Sequence, residues 1–353
     1  MNRRPRLTLK TVAQRLGVST ATVSNAFNRP DQLSTRRREE ILAAARSLGY
    51  HGPDSRGRTL RTGSSRIIGV ALSDNLGYSL SDSVASEFLA GISQVFDEYD
   101  YRILLMTGSR RTDRVFSPFN GVADGYLIYG SLPEHATPAL LRQQRPVVTV
   151  DIRLPGLPFI AIDHRLAAYE LARRALSGGA ERPVILALSL TLDAPVGRLS
   201  RSAHRHHPNQ VALARLAGFD QALRESGHDP AGVALYNVDA NTFEAAAPVI
   251  APLLATNGPD LLLCMSDRLA LTALSLAEQR GVAVPERLQL TGFDGIAEGQ
   301  RRRPLLTTVY HDSRAKGVAA ARTMIGLDAP GEIELPVRQI HGETCRITEP
   351  PLP

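Results

Sequence analysis

The start of the chain repeats apolar residues at helical spacing. Positions i, i+3, i+4 and i+7 of this stretch are occupied by Leu9, Val12, Ala13 and Leu16. Such spacing forms one apolar face of an amphipathic helix. Thr8 can cap the start of this helix, because its hydroxyl can accept a hydrogen bond from a free backbone N–H. Gly17 can end it, because glycine adopts the left-handed conformation found at helix C-termini.

A second short helix is predicted over 20–27, directly after the glycine turn. Ser19 stands at its N-cap position. Val23 faces inward together with Ala26 or Phe27. The outward positions carry small polar side chains, those of Thr20, Thr22, Ser24 and Asn25. A helix with so slim a polar face can approach base edges in a major groove.

A third helix, which opens at Ser34 or Thr35 and closes at Gly49, completes this segment. Its apolar face is formed by Ile41, Ala45 and Leu48. Three short helices, of which the first two are joined by a tight turn, predict an all-α helix-turn-helix head over residues 1–50. Residues 51–65 follow as a linker rich in turn residues and arginine.

From residue 66 the pattern changes to buried strands that alternate with helical stretches. The first strand is predicted at 67–72, and the others at 101–106, 125–129, 147–150, 160–162, 184–188, 233–236, 261–264 and 288–292. Helices are predicted at 83–99, 165–177, 213–226, 243–254 and 268–281. This alternation is typical of doubly wound parallel sheets. So many strands favour two lobes over one sheet.

Charge is distributed unevenly between the head and the body. The formal net charge is +6, but residues 1–66 hold 14 Lys and Arg against 4 Asp and Glu, whereas the other 287 residues hold 27 against 31. A basic head on a mildly acidic body is typical of a nucleic-acid-binding protein. No apolar run approaches the roughly 20 residues that span a bilayer, and no signal peptide is recognised, so a cytoplasmic protein is expected. Cys264 and Cys345 are expected to be buried reduced thiols without metal.

The head and the body together resemble the lactose/galactose repressor (LacI/GalR) family over nearly the whole chain. In the head, the matching segments are Val12-Ala13, Gly17-Val18-Ser19, Thr22-Val23-Ser24, Asn28 and Leu48-Gly49-Tyr50. In the body, they are Leu216-Ala217-Gly218-Phe219, Gly292-Phe293-Asp294 and the stretch from Pro304 to Val309. The resemblance implies a bacterial, nucleoid-associated, homodimeric transcriptional regulator, expected to be a repressor, without a cofactor.

The resemblance also implies a body, residues 66–350, that is like a periplasmic binding protein, with two doubly wound parallel-sheet lobes. The N-lobe is expected at about 66–162 and 310–326. The C-lobe is expected at about 163–305 and 327–348. A small-molecule effector, such as a sugar or a related polar metabolite, would bind between the lobes and control DNA binding.

In that family, the second helix of the head reads a pseudo-palindromic double-stranded operator. The resemblance assigns base reading to Thr20, Ala21 and Asn25, and an asparagine can bond both amide atoms to an adenine edge. The other implied DNA contacts, which include phosphate contacts that fix register, are Thr8, Ser19, Thr22, Ser24 and Asn28. Leu60, seven residues after Pro53, matches the linker leucine that enters the minor groove. The alternative for each polar residue taken alone is a helix cap or a solvated face.

Effector contacts in the family map onto Asp151, Arg215, Ser266 and Asp294. Asp151 and Asp294 each follow a predicted strand, where α/β folds bind ligands. The alternative is that these aspartates cap the next helix. Asp74 and Tyr78, in a loop over 73–83 that is longer than usual, are further candidates.

Two other functional classes are weighed against a regulator. An enzyme would need a catalytic motif, and no G-x-S-x-G, P-loop, G-x-G-x-x-G or H-E-x-x-H occurs. His204, His206 and His207 favour a solvated loop over a zinc site, because no fourth ligand can be named. An architectural DNA-binding protein with an inert body is disfavoured by the charged residues at the strand ends.

Overall fold

The chain divides into two units, Met1–Arg66 and Ile67–Pro353, called the head and the body below. A computed structural model describes residues 7–50, 52, 64–107, 122–131, 138, 141–142, 144–191, 194–200, 209–255 and 258–348. Within these ranges no helix has the length and apolar character that a membrane span requires. Leu60 and the cluster of His204, His206 and His207 lie outside the described residues.

The head is built from three helices, α1 (Leu9–Leu16), α2 (Thr20–Asn28) and α3 (Thr35–Ser47). Each begins at a side-chain cap, formed in turn by Thr8, Ser19 and Ser34. Gly17 ends α1 with a φ of +64°, which a residue with a Cβ adopts only at a cost. The buried residues of the small core are Val12, Ala13, Val23, Ala45 and Tyr50.

The body alternates strands and helices as the sequence pattern predicts. Its strands are β1 (Ile67–Leu72), β2 (Arg102–Thr107), β3 (Gly125–Tyr129), β4 (Val147–Val150), β5 (Phe159–Ala161), β6 (Pro183–Leu188), β7 (Gly197–Leu199), β8 (Ala234–Val238), β9 (Leu261–Cys264), β10 (Gln289–Thr291), β11 (Thr308–His311), β12 (Glu332–Glu334) and β13 (Val337–Ile340). Its helices are α4 (Leu76–Ser81), α5 (Ser83–Glu98), α6 (His164–Ser177), α7 (Gln210–Glu225), α8 (Phe243–Ile250), α9 (Asp267–Gln279), α10 (Ala297–Arg301) and α11 (Ser313–Met324).

The strands form one sheet in each of two lobes. The N-lobe sheet is parallel throughout and has the order β12-β5-β4-β3-β1-β2. The C-lobe sheet has the order β10-β9-β6-β8-β7, and only its edge strand β7 is antiparallel. β11 and β13 pair as a separate antiparallel ribbon. The predicted fold class, a helix-turn-helix head on an α/β body with doubly wound sheets, is confirmed.

The predicted division of the last residues between the lobes is wrong at one strand. Residues 327–348 were assigned to the C-lobe, but β12 pairs in parallel with β5 at the edge of the N-lobe sheet. The strand is three residues long and its sequence is Glu-Ile-Glu, so it carries too little apolar periodicity to be recognised. The chain therefore crosses between lobes three times, after β5, after β11 and after β12.

Several other short elements also depart from the sequence pattern, including α10, β11 and β13, which it does not predict. The predicted loop over 73–83 contains α4, which Asn75 caps. The predicted helix over 243–254 ends as α-helix at Ile250 and continues as a 3₁₀ turn over Ala251–Leu254. β7 was not predicted, because its three residues lack an alternating pattern.

Candidate functional site

The exposed face of the head is formed by the N-terminal ends of α1 and α2. Thr8, Ser19, Thr20 and Ala21 are exposed, whereas Thr22, Ser24, Asn25 and Asn28 are half-buried. The inward face of α2 is apolar, because Val23 and Ala26 are fully buried. The predicted DNA-contacting residues of the head therefore lie on α2 and at the starts of two helices.

Several of these polar side chains also stabilise the head itself. Thr8 Oγ1 accepts a hydrogen bond from Thr11 N at 3.2 Å, and Ser19 Oγ accepts one from Thr22 N at 3.0 Å. Asn28 Nδ2 donates to the carbonyl oxygen of Ser24 at 3.1 Å. The capping role is thus present at Thr8 and Ser19, and among the described contacts the predicted base-reading residues Thr20, Ala21 and Asn25 take no part in it.

A second candidate site lies in the body, where strand ends of the two lobes meet. In each sheet the strand order reverses next to the first strand of the lobe, β1 in the N-lobe and β6 in the C-lobe. Such a switch point leaves a crevice at the carboxyl ends of the strands, where open α/β sheets bind ligands. The residues that follow β1, β3, β4, β6 and β10 all contribute to one cavity.

This cavity has a volume of about 160 Å³. Its polar lining is formed by Ser73, Asp74, Tyr78, Ser79, Asp82, Ser131, Asp151, His164, Ser189, Thr191, Asn209, Arg215, Asn241, Asp294, His311 and Lys316. Five of the six predicted effector residues are therefore brought together, namely Asp74, Tyr78, Asp151, Arg215 and Asp294. Ser266 does not line the cavity, because it is fully buried and its hydroxyl donates to Asn241 Oδ1 at 2.6 Å.

The carboxylate of the N-lobe, Asp151, directly follows β4 and is held on both oxygens. Lys316 Nζ donates to Asp151 Oδ2 at 2.7 Å, and His164 Nε2 lies 3.2 Å from Asp151 Oδ1. Burial alone would raise the pKa of Asp151, but Lys316 and His164 hold it well below the ordinary value. Asp151 is ionised, and its backbone φ of +58° is unusual for a residue with a side chain.

The carboxylate of the C-lobe, Asp294, repeats this arrangement after β10. Arg215 Nη2 donates to Asp294 Oδ1 at 3.2 Å, and His311 Nε2 lies 3.3 Å from the same oxygen. Burial opposes ionisation, but the pKa of Asp294 is lowered by Arg215 and His311. The guanidinium of Arg215 also stacks on Phe293, 3.7 Å from the ring centroid. The φ of Asp294 is +119°, so Asp151 and Asp294 both occupy strained backbone.

Two histidines stand where the chain crosses between lobes. His164 follows the first crossing, and its Nδ1 accepts a bond from Arg215 Nε at 3.4 Å. Burial lowers the pKa of His164 to about 4, so its ring is neutral at pH 7. His311 ends β11 at the second crossing, and burial lowers its pKa as well. His164 thus links the charged pair of the N-lobe to that of the C-lobe.

A further set of contacts joins the lobes at α4. Arg268, on α9 of the C-lobe, donates through Nη2 to the carbonyl oxygen of Ser81 at 2.7 Å, and its Nε lies 3.4 Å from Asp82 Oδ1. Tyr78 donates to the same Asp82 oxygen at 3.2 Å. Burial raises the pKa of Asp82. Arg268 therefore binds a segment of the N-lobe that borders the cavity.

Most other residues of this site were missed by sequence reasoning, among them His164, His311, Asn241, Arg268 and Lys316. His164 had a signal, because it comes directly after a predicted strand that ends at a lobe boundary. Lys316 had no such signal in the sequence, because lysine is almost always exposed and its sequence neighbours form no motif. Among the described residues, no cluster of three or more His, Cys, Asp or Glu side chains could hold a metal ion.

Two family models match the chain. Residues 8–53 match the model described as bacterial regulatory proteins, lacI family, and residues 195–345 match a periplasmic binding protein-like domain. An HTH-type transcriptional regulator of Mycolicibacterium smegmatis is 34% identical over 364 residues, which covers 98% of this chain and 97% of that protein.

Two further comparisons extend the match. The HTH-type transcriptional repressor CytR of Escherichia coli is 32% identical over 314 residues, covering 86% of this chain and 84% of CytR. The crystal structure of the lac repressor dimer bound to operator and the anti-inducer ONPF has a TM-score of 0.72 at 21% identity, and it covers 96% of this chain and 99% of that one. This last likeness bears on the fold alone. The named relatives are transcriptional regulators and not enzymes.

Proposed function

The chain belongs to the lacI family of bacterial regulatory proteins and is a DNA-binding transcriptional regulator, and from this premise we propose that it is a homodimeric repressor controlled by a small polar effector. The effector binds in the cavity between the lobes of the body. Its class is an uncharged polyhydroxylated molecule of about the size of a monosaccharide. The proposal includes a cytoplasmic location, where a bacterial regulator meets its operator DNA.

The pairing of charges inside the cavity is the observation that carries this proposal. Asp151 is satisfied by Lys316 and His164, and Asp294 is satisfied by Arg215 and His311. Because the charges within each of these pairs neutralise one another, neither pair demands a charged ligand. The other polar groups of the lining are mainly neutral, namely the hydroxyls of Ser73, Ser131, Ser189 and Thr191 and the amides of Asn209 and Asn241. Two further carboxylates, Asp74 and Asp82, also line it, and Asp82 is paired with Arg268. Hydroxyls and amides both donate and accept, as the hydroxyls of a polyol do.

The size of the cavity supports a small effector. Its volume of about 160 Å³ is below the roughly 300–1,000 Å³ that drug-sized ligands occupy. Ala240, next to the cavity residue Asn241, also offers no aromatic ring for stacking. A small molecule bound mainly by hydrogen bonds therefore suits the cavity better than a nucleobase or an oligosaccharide.

The DNA-binding half of the proposal is tested with the full-length protein and a pool of genomic fragments. We expect enrichment of one pseudo-palindromic site over random duplex at moderate salt. Asn25→Ala should weaken binding to that site by roughly tenfold or more, because a bidentate base contact is worth about 1–3 kcal/mol, and the salt dependence should stay the same. Ser47→Ala is the matched control, because Ser47 is exposed at the end of α3 and bonds only within its helix. Equal binding to random and genomic DNA would refute the proposal.

The effector half is tested by thermal shift against a panel of monosaccharides, linear polyols, sugar acids and amino sugars. A ligand that binds only the folded protein raises the melting temperature by mass action. We expect a neutral polyol to stabilise the protein and to change operator affinity. By linkage, operator DNA must then change the affinity for that polyol by the same factor. Stabilisation by amino sugars or sugar acids alone would contradict the proposed class.

A further inference from the structure

Lys316 is a buried cation at the border of the cavity. It lies on α11, its side chain is 1% exposed, and its ammonium group lies 2.7 Å from Asp151 Oδ2. Among the described residues, Asp151 is the one hydrogen-bond partner that the ammonium has. A buried lysine survives as a cation only when a carboxylate compensates for its lost hydration. Lys316 and Asp151 therefore depend on each other.

Close packing of two helices fixes where Lys316 stands. α11 packs against α5 through Gly91 and Gly317, where backbone atoms meet without side chains between them. A Cβ on Gly91 would lie 2.1 Å from the carbonyl oxygen of Arg314, and one on Gly317 would lie 2.1 Å from that of Phe88. The helix cannot shift without breaking this contact, so the lysine is held at a set distance from β4.

Each oxygen of Asp151 already has one protein partner while Lys316 is in place. Its Oδ2 accepts from Lys316, and its Oδ1 is bonded to His164. Sequence reasoning assigned Asp151 a direct effector contact, because a carboxylate at a strand end would accept from ligand hydroxyls. The geometry gives the ammonium of Lys316 the position that a cationic ligand would otherwise take. An ammonium has three donors, of which Asp151 uses one, so Lys316 adds hydrogen-bond donors to the cavity beside this carboxylate.

We infer that Lys316 is the specificity-determining residue of the cavity. Its ammonium group occupies the position in which a cationic ligand would bind Asp151, and it thereby excludes amine-bearing effectors. This inference rests on the proposed function, since it concerns the ligands of the same cavity. The effector must present a hydrogen-bond acceptor towards Lys316. Removal of the lysine side chain should convert Asp151 into a binding site for organic cations.

The test replaces the lysine by a free amine. Lys316→Ala removes Cγ, Cδ, Cε and Nζ, and n-propylammonium carries the same four heavy atoms. We expect n-propylammonium chloride to raise the melting temperature of the full-length Lys316→Ala variant by at least about 2 °C. 1-Propanol, which has the same shape without the charge, should give no such rise. Wild-type protein and the double variant Asp151→Asn/Lys316→Ala should respond to neither probe.

Each outcome decides the inference. A rise in the single variant alone supports it. No rise, an equal rise with 1-propanol, or an equal rise in the double variant overturns it. If Lys316→Ala does not melt cooperatively, the test uses Lys316→Met, which keeps the apolar stem and removes only the charged end. The melting temperature of this variant is measured in ammonium chloride and in sodium chloride. Selective stabilisation by ammonium is the expected result, and its absence would refute the inference. These measurements need no operator DNA, so failure of the repressor proposal would appear separately, in the fragment-enrichment experiment.

Discussion

Replacement of Arg268 by alanine should loosen the contact between the lobes at α4. The guanidinium makes a hydrogen bond to the carbonyl oxygen of Ser81 and an ion pair with Asp82, and the Arg268 and Asp82 side chains are 28% and 9% exposed. A hydrogen bond that involves a charged group contributes about 1.5–3 kcal/mol, and the longer ion pair, partly screened, contributes less. We therefore expect Arg268→Ala to weaken the contact by about 2 kcal/mol, which is roughly 30-fold in an equilibrium constant.

Hydrogen exchange followed by mass spectrometry measures this effect directly. Amides of α4 and the first turn of α5, residues 76–86, should exchange roughly 30-fold faster in Arg268→Ala, because local opening determines their protection. The rest of the N-lobe should keep its wild-type protection. Arg280→Ala is the matched control, since Arg280 follows the last residue of the same helix and, among the described residues, its side chain bonds only to Leu276 within that helix. Unchanged exchange over 76–86, or an equal change in the control, would refute the reasoning.

Two other consequences can be measured by urea denaturation. The pKa of His164 is lowered from its ordinary value of 6.5 to about 4 in the folded protein. Between these pH values the imidazole is therefore protonated in the unfolded chain but neutral in the folded protein. The free energy of unfolding should therefore fall as pH drops from 6.5 towards 4. His164→Gln should make this dependence on pH shallower, and an unchanged dependence would contradict the lowered pKa of His164. Gly91→Ala should cost about 1–3 kcal/mol through overpacking against Arg314. Gly331→Ala, in open space, should change little, and equal costs would disprove the packing argument.

The fold was predictable wherever an element was long enough to carry its own pattern. The head could be read from its caps and glycine turn, since Thr8, Ser19 and Gly17 act locally. The long strands and helices of the body were found within a few residues. α4, β7 and β12 were missed, because three to six residues do not complete a period and their positions are set by contacts with distant parts of the chain.

The cavity was predictable in position but only partly in chemistry. Asp151 and Asp294 were found because the carboxyl ends of parallel strands are where such folds bind ligands. The partners that define their behaviour are remote in sequence, with Lys316 lying 165 residues after Asp151 and Arg215 lying 79 before Asp294. Pairwise proximity of this kind leaves no trace in local patterning. Ser266 was predicted to contact the effector, but it is fully buried and its hydroxyl donates to the cavity residue Asn241.

The pairing of β12 with β5 bears on which pieces of this protein can exist alone. A fragment that stops before residue 332 would leave the backbone of β5 as an unpaired sheet edge, which invites association with other chains. The same fragment would also lose β13, the partner of β11. Proteolysis in the last thirty or so residues should thus damage both halves of the body at once, and neither half can be produced by cutting the gene at a single point.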